Sequence, residues 1–175
     1  MPFIRCLGRI FSETQERDKM IVYQEGDLTD SYAKYIAHQC NCVSKGYSGL
    51  ARTVFEKYPW ANTYGSNKRK CGDIDIMGNG MDKRFVINMY SQYSPGKPSI
   101  HSSDPYRLRL IWFQECLNKI REMDNLESIA FPYNIGCGLA GGKWEDYKKM
   151  IEDFDMNCEF ELRNVKIYII KYTGK

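Results

Sequence analysis

Two glycine-rich segments have the composition of backbone that holds a ligand. Residues 136–142 read GCGLAGG, and residues 46–49 read GYSG. Glycine weakens regular structure, so a cluster of glycines marks a backbone that bends sharply or lies close against another group. Where such a loop joins a strand to a helix, its exposed N–H groups and the helix start form a site for phosphate or diphosphate. The alternative is a tight turn with close backbone packing and no ligand.

Three polar side chains lie at the ends of apolar segments, where they are suited to contact a ligand. Asp27 either caps a helix start or accepts a hydrogen bond from a bound group. Asn41 either caps backbone groups in a loop or, in combination with the glycine-rich loops, contacts a ligand. His38 has an ordinary pKa near neutrality, which suits general acid catalysis. The alternative for His38 is a hydrogen-bonded side chain packed within a buried strand.

Cysteines offer two other kinds of chemistry. The spacing His38-x-Cys40-x-Cys42 puts three metal-binding side chains on one face of an extended strand, but structural zinc sites prefer CxxC-type spacings. Cys137 precedes a predicted helix, a position that favours a reactive thiolate, but the sequence supplies no neighbouring base. We therefore predict no metal and no cofactor, and a loop position for Cys137 with its N–H directed at phosphate.

Strands alternate with helices along the chain. The predicted strands are residues 20–24, 35–40, 74–77, 85–89, 128–132 and 165–170, with a hairpin turn at residues 78–80. The predicted helices are residues 50–57, 105–121 and 145–154. The apolar stripe of the second helix is Leu108, Ile111, Trp112, Cys116 and Ile120. This alternation predicts a single three-layer α/β/α domain with a mixed sheet, and ligands of such folds bind beyond the carboxyl ends of the strands.

The overall composition limits the classes of partner. The chain is 43% hydrophobic and carries a formal charge of +3, which is too mild to indicate a nucleic-acid surface. We expect the basic run at residues 68–70 to lie in a solvated loop. No segment approaches the roughly 20 apolar residues of a membrane span. Seven cysteines without a secretion signal predict reduced thiols, so we expect an intracellular, cytoplasmic or nuclear, protein.

The chain has no repeat or linker that divides it. We expect one domain over residues 20–175, preceded by an N-terminal extension or extra edge strand over residues 1–19. We also expect a monomer that contacts no membrane.

Four segments together resemble the macro domain family. They are EGDL at residues 25–28, IAHQCN at residues 36–41, GLA at residues 49–51 and PYNIGCGLAGGKW at residues 132–144. They occur in the order of that family and at the ends of its strands. The resemblance covers residues 20 to about 172. It is strongest to the branch that includes ADP-ribose-1''-phosphate phosphatases and their viral and phage relatives.

The resemblance implies a site for ADP-ribose or an ADP-ribose ester. Asp27 would accept a hydrogen bond from the adenine amino group, and Asn41 would bond the distal ribose. The two glycine-rich loops would hold the distal ribose and the diphosphate. The implied binding residues are Asp27, Leu28, Gln39, Asn41, Gly46, Tyr47, Ser48, Gly49, Leu50, Ala51, Asn134, Ile135, Gly136, Cys137, Gly138, Leu139 and Ala140. Nucleic acid would be a partner only when it carries ADP-ribose.

The resemblance also implies hydrolysis of the terminal phosphate of ADP-ribose-1''-phosphate, with His38 and Asn41 as the catalytic residues. One alternative is a non-catalytic protein that binds ADP-ribose or another NAD-derived nucleotide. The other is an ADP-ribosyl hydrolase, whose relatives acting on glutamate use a lysine and an aspartate. This sequence has Gln92 and Ala140 at those positions, and Lys97 lies five residues after Gln92, which argues against that route.

Overall fold

The computed structural model describes residues 21–66 and 68–174. The strands are β1 (Ile21–Glu25), β2 (Tyr35–Asn41), β3 (Ile74–Met77), β4 (Phe85–Gln92), β5 (Ser128–Pro132) and β6 (Lys166–Lys171). The α-helices are α1 (Gly49–Lys57), α2 (Tyr106–Arg121) and α3 (Trp144–Phe160). The extension predicted for residues 1–19 lies outside the described residues.

The strands form one mixed sheet in the order β1-β6-β5-β2-β4-β3. All neighbouring pairs are parallel except β3 and β4, which pair antiparallel with Ile76 opposite Ile87. This confirms the predicted mixed sheet and the hairpin between β3 and β4. Because the other strands run parallel, their carboxyl ends meet at one edge of the sheet.

Helices cover both faces of the sheet. On one face Phe113 of α2 and Tyr147 of α3 pack with Phe131 of β5, and the rings of Phe113 and Tyr147 lie 4.8 Å apart. On the other face Phe55 of α1 packs with Ile36 of β2 in a separate buried cluster. The three-layer α/β/α prediction is therefore confirmed.

The structure corrects the predicted bounds and faces of two helices. α2 starts one residue after Pro105, and its buried side chains are Arg109, Phe113, Cys116, Leu117 and Ile120, whereas Ile111 is exposed. α3 continues to Phe160, past the predicted end at residue 154, because Cys158 extends its buried stripe. Within residues 21–66 and 68–174, none of the helices is long and apolar enough to cross a membrane.

Candidate functional site

A cavity of about 570 Å³ lies at the carboxyl edge of the sheet. Its walls come from the loops after β1, β2, β4, β5 and β6, so the predicted convergence of the strand-end loops on one crevice is confirmed. Cavities that enclose small organic ligands have this size. The wall residues outside the set of implied binding residues are Ser44, Thr53, Tyr64, Gln92, Pro95, Gly96, Pro132, Tyr133, Ile170 and Tyr172.

All but two of the predicted binding residues line this cavity. Tyr47 is an exception because its ring packs edge-on against Phe55, with the centroids 5.5 Å apart. Cys137 is the other exception, since its N–H donates to the Asn134 carbonyl at 2.9 Å and is not free for phosphate. Burial, followed by the nearby charge of Glu145, raises the pKa of the Cys137 thiol to about 11. The prediction that the Cys137 N–H is directed at phosphate is therefore wrong, and the thiol is not activated as a nucleophile.

The start of α1 faces the cavity with unused backbone donors. Gly49, Leu50 and Ala51 form its first turn and line the wall. Ser48 stands at the N-cap position, but among the described residues its side chain makes no capping hydrogen bond. The first turn also carries no acidic residue. An uncapped helix start of this kind offers free N–H groups and positive potential to an anion.

The loop after β5 presents a second set of donors. Its turns are closed by hydrogen bonds from Gly141 to the Gly138 carbonyl and from Gly142 to the Gly136 carbonyl, at 3.1 and 2.9 Å. Across the described part of the chain, the N–H groups of Gly136, Gly138, Leu139 and Ala140 find no acceptor. Leu139 approaches Gly49 of α1 closely, since a Cβ on Gly49 would lie 3.3 Å from the Leu139 Cδ1. The two sets of donors therefore lie close together in the cavity wall.

The glycines of this loop serve two purposes. Gly136 has φ +73°, and a Cβ there would lie 2.5 Å from the Tyr147 ring; a Cβ on Gly142 would lie 2.5 Å from the Gly136 carbonyl oxygen. These two positions need glycine for packing, as the ligand-free alternative supposed. A Cβ on Gly138 would meet no described atom within 4 Å and would point into open space, although Gly138 lines the cavity. The ligand and packing interpretations therefore apply to different glycines of one loop.

The start of α3, which follows the glycine-rich loop of residues 136–142, contributes little positive potential. The first turn of α3 carries Glu145 and Asp146, which offset its dipole. The Tyr106 hydroxyl donates to Asp146 at 2.8 Å and accepts from the Lys143 N–H at 3.0 Å. The helix start that serves the cavity is that of α1.

Asp27 lies in the cavity wall directly after β1 and the following glycine. It caps the short 3-10 turn Leu28–Asp30, where its Oδ1 accepts from the Thr29 N–H and the Thr29 hydroxyl, both at 2.7 Å. Its other oxygen has no donor among the described residues and remains available to a ligand. Both alternatives for Asp27, cap and ligand acceptor, are therefore compatible with its geometry.

Asn41 and Arg69 form hydrogen bonds that stabilise one segment of the cavity wall. The Asn41 Oδ1 accepts from the N–H groups of Val43 and Ser44 at 3.2 and 2.8 Å, and its Nδ2 donates to the Tyr64 hydroxyl at 3.2 Å. Arg69 donates to the carbonyls of Asn41 and Ser44 at 2.9 and 2.7 Å. The prediction that the basic run at residues 68–70 lies in a solvated loop is therefore wrong for Arg69, because its guanidinium donates hydrogen bonds to backbone carbonyls.

A buried ion pair connects the loop after β4 with the glycine-rich loop. Arg109 and Asp104 are each about 1% exposed and form a bidentate pair with N–O distances of 2.8 and 2.7 Å. The same guanidinium donates to the carbonyls of Gly96 at 2.7 Å and Ala140 at 3.1 Å, and both of these residues line the cavity. The sequence gives no signal for this pair, because a charged residue inside a helix is usually exposed.

The chain is similar to several proteins of known sequence or structure, although no protein-family model matches it. An uncharacterized 17.5 kDa protein from the tk–vs intergenic region of Enterobacteria phage T4 is 24% identical over 150 residues, covering 80% of this chain and 93% of that protein. A Bacteroides thetaiotaomicron protein of unknown function superposes with a TM-score of 0.67 at 26% identity, covering 86% of this chain and 97% of that chain.

Two solved macrodomains have the same arrangement of strands and helices. The macrodomain of Mycobacterium tuberculosis DarG has a TM-score of 0.64 at 23% identity, covering 87% of this chain and 98% of that one. The Trypanosoma brucei macrodomain in complex with ADP-ribose has a TM-score of 0.64 at 14% identity, covering 87% and 63%. The chain has the macrodomain fold.

In this macrodomain His38 does not reach the cavity. It is 1% exposed on the α1 face of β2, with its ring 5.2 Å from that of Phe55. The Asn88 amide donates to the Ala61 carbonyl, so its Oδ1 accepts from the His38 Nε2 at 2.7 Å. The structure therefore corrects the predicted catalytic role of His38, because a fully buried and hydrogen-bonded imidazole cannot transfer a proton to a ligand in the cavity.

His38 should instead make the stability of the macrodomain depend on pH. Burial lowers its pKa from 6.5 to about 4, and the hydrogen bond with Asn88 opposes this only partly. Above pH 6.5 the imidazole is neutral in both states. As the pH falls from 6.5 to 4, the unfolded chain gains a proton that the folded protein excludes, so the free energy of unfolding should decrease by roughly 3 kcal/mol.

Urea denaturation at a series of pH values measures this loss. The carboxylates contribute equally to the pH dependence of stability in the parent protein and in the His38→Gln variant. The difference between the two stability curves therefore gives the contribution of the imidazole. We expect the parent protein to lose more stability than the variant between pH 6.5 and 4. Parallel curves would show that His38 is accessible to protons in the folded state.

The described cavity wall contains little that can perform acid–base or covalent chemistry. Asp27 is the only Asp, Glu, His, Lys or Arg among the described residues that line it. Gln92, at the position of the lysine in the glutamate-specific hydrolases, is 7% exposed and donates to the Ser94 carbonyl at 3.0 Å. Lys97 packs beside Gly141 and is not part of the wall.

The metal alternative finds no support in the described ranges. No group of three or more His, Cys, Asp and Glu side chains there is arranged to hold a metal ion. The Cys40 thiol lies 3.6 Å from the His38 Nε2, but Cys42 is directed elsewhere, with its Sγ 3.3 Å from that of Cys71. The spacing His38-x-Cys40-x-Cys42 thus does not produce a three-ligand set.

Proposed function

We propose that this chain belongs to the macro domain family and binds ADP-ribose in the cavity at the carboxyl edge of its sheet. The observation that carries this proposal is that two sets of backbone donors, the start of α1 and the N–H groups of Gly136, Gly138, Leu139 and Ala140, line one cavity. The first turn of α1 carries no acidic residue that would repel an anion there. No described lysine or arginine in the wall would bind the anion in place of the backbone donors. The bound ADP-ribose of the Trypanosoma brucei macrodomain supports the choice of ligand.

A diphosphate fits this arrangement because its charge is spread over two phosphates. One phosphate would accept from Gly49 and Leu50 at the start of α1, and the other from Gly138 and its neighbours. The free oxygen of Asp27 would accept from the adenine amino group. The distal ribose would lie toward Asn41, which retains one free Nδ2 hydrogen after its bond to Tyr64.

Binding without turnover is the function that the geometry supports best. Hydrolysis of ADP-ribose-1''-phosphate was predicted with His38 as the acid, and that imidazole is buried behind α1. Asn41, the second predicted catalytic residue, lines the cavity, but an amide neither gives nor takes a proton at neutral pH. We therefore propose a protein that recognises free ADP-ribose, or ADP-ribose attached to a macromolecule.

Calorimetry combined with a turnover assay tests this proposal. ADP-ribose should bind at least tenfold more tightly than AMP, because AMP lacks the second phosphate and the distal ribose. Purified protein mixed with ADP-ribose-1''-phosphate should release no phosphate above the background rate. Absence of ADP-ribose binding at millimolar concentration would refute the proposed ligand, and rapid phosphate release would replace the proposed reader with a phosphatase.

Asp27→Asn separates the ligand contact of Asp27 from its capping contact. The amide oxygen still accepts from Thr29, so the free energy of unfolding should change by less than about 1 kcal/mol. The amide NH₂ replaces the acceptor that faces adenine, so ADP-ribose affinity should fall by about ten- to a hundredfold, equivalent to roughly 1–3 kcal/mol. Urea denaturation measures the change in stability and calorimetry the change in affinity; unchanged affinity would refute the proposed orientation of adenine.

A further inference from the structure

Cys42 and Cys71 form a close thiol pair behind the cavity wall. Their Sγ atoms lie 3.3 Å apart, and both residues are half-buried and free. A disulfide bond is about 2.05 Å long, so the two sulfurs need to approach by only about 1 Å to form one. The proposed binding of ADP-ribose does not use either thiol.

The surroundings make the two thiols unequal. The pKa of Cys42 is lowered mainly by its hydrogen bond with Cys71 and further by the nearby Arg69 guanidinium, although burial opposes both. The pKa of Cys71 is raised by the same hydrogen bond and by burial. Burial raises the pKa of the enclosed thiols of Cys40 and Cys116. Of the two thiols, Cys42 is therefore the one that loses its proton more readily.

The pair joins two segments that Arg69 already connects. Cys42 follows Asn41 in the cavity wall and donates its N–H to the Tyr93 carbonyl at 3.0 Å. Cys71 lies two residues after Arg69, whose guanidinium donates to carbonyls of that wall segment. A covalent bond between the two sulfurs would fix residues 41–44 to residues 69–72 and would hold the wall in its present position.

Solvent reaches the pair without passing through the cavity. Cys71 lines a separate groove of about 550 Å³ together with Lys70, Asp73, Trp112 and Lys119. None of the residues that line this groove lines the cavity. A small reagent can therefore reach Cys71 from this groove while a ligand occupies the cavity, and Cys42 is itself only half-buried.

We propose that Cys42 and Cys71 are a redox-sensitive dithiol that a low-molecular-mass disulfide, RSSR, converts to an intramolecular disulfide. The Cys42 thiolate attacks one sulfur of RSSR, forms a mixed disulfide and releases RS⁻. Cys71 loses its proton and attacks the Cys42 sulfur, which releases the second RS⁻ and closes the protein disulfide. The protein loses two electrons and two protons, and RSSR is reduced to two RSH.

The chemistry can be tested without any ligand of the cavity. Native full-length protein is incubated with oxidised glutathione, alkylated, digested and analysed by mass spectrometry without reduction. We expect a cross-linked peptide pair that contains Cys42 and Cys71, together with an increase of roughly 5–10 °C in Tm, because the cross-link restricts the unfolded chain. Reduction with dithiothreitol should reverse both changes.

Single variants identify the order of the two steps. Cys71→Ser should stop at the mixed disulfide, so Cys42 should carry one glutathione and the Tm should not rise. Cys137→Ser, a matched control at another half-buried cysteine, should still form the cross-link. The proposal is overturned if the parent protein retains both thiols, if it stops at a mixed disulfide, or if it forms a different pair. These outcomes are independent of ADP-ribose binding, so they can fail separately from the proposed function.

Discussion

Gly138→Val should abolish ADP-ribose binding while leaving the macrodomain folded. A Cβ at Gly138 would meet no described atom within 4 Å, so the fold has room for the side chain. Gly138 nevertheless lines the cavity, and valine would fill the space through which the diphosphate approaches the main-chain donors. Because each charge-assisted hydrogen bond contributes about 1.5–3 kcal/mol, loss of two should weaken binding by at least about a hundredfold.

The controls for this variant come from other glycines. Gly65→Val introduces the same side chain where a Cβ also meets no described atom within 4 Å, outside the cavity wall, and should retain affinity. Gly136→Val should instead lose stability, because a Cβ there lies 2.5 Å from the Tyr147 ring. Calorimetry and thermal unfolding distinguish the three results. Full affinity in a folded Gly138→Val protein would exclude the loop after β5 from the binding site.

Asp104→Ala should cause the largest loss of stability among the substitutions considered. It leaves the Arg109 guanidinium buried without a counter-charge, and the N–H groups of Tyr93 and Ser94, at 3.1 and 2.8 Å, lose their acceptor. Removing one partner of a buried ion pair costs about 3–5 kcal/mol, which is a large share of the stability of a typical domain. Urea denaturation measures the decrease in the free energy of unfolding.

Two further variants keep this prediction testable if Asp104→Ala does not fold. Asp104→Asn preserves the shape and the acceptor but removes the charge, so it should lose less stability than alanine. Lys149→Ala removes one partner of an exposed pair with Asp153 and should change stability by no more than about 1 kcal/mol. Equal effects of Asp104→Ala and Lys149→Ala would show that the buried pair does not hold the two loops together.

Local pattern was sufficient to predict the layers of the fold, and the resemblance to the macro domain family supplied most of the residues that line the cavity. Period-two and helical spacings placed β2, β4, β5 and β6 within a residue or a few of their observed bounds, because burial of one face depends on spacing along the chain. The glycine-rich loop and Asp27 were found because strand ends in a parallel sheet must meet at one edge. The binding role of these residues remains a proposal that the Asp27 and Gly138 variants test.

By itself the sequence determined the secondary elements, the order of the layers and the edge at which the loops converge, since these follow from short-range spacing and backbone geometry. Only the tertiary structure decided that His38 is buried against α1 and that the start of α1, instead of that of α3, lines the cavity. It also decided that Arg69 and Arg109 donate hydrogen bonds to backbone carbonyls of the cavity wall. Each of these depends on side chains or segments brought together from distant parts of the chain. Packing against such partners determines whether a polar side chain is buried as support or exposed to a ligand.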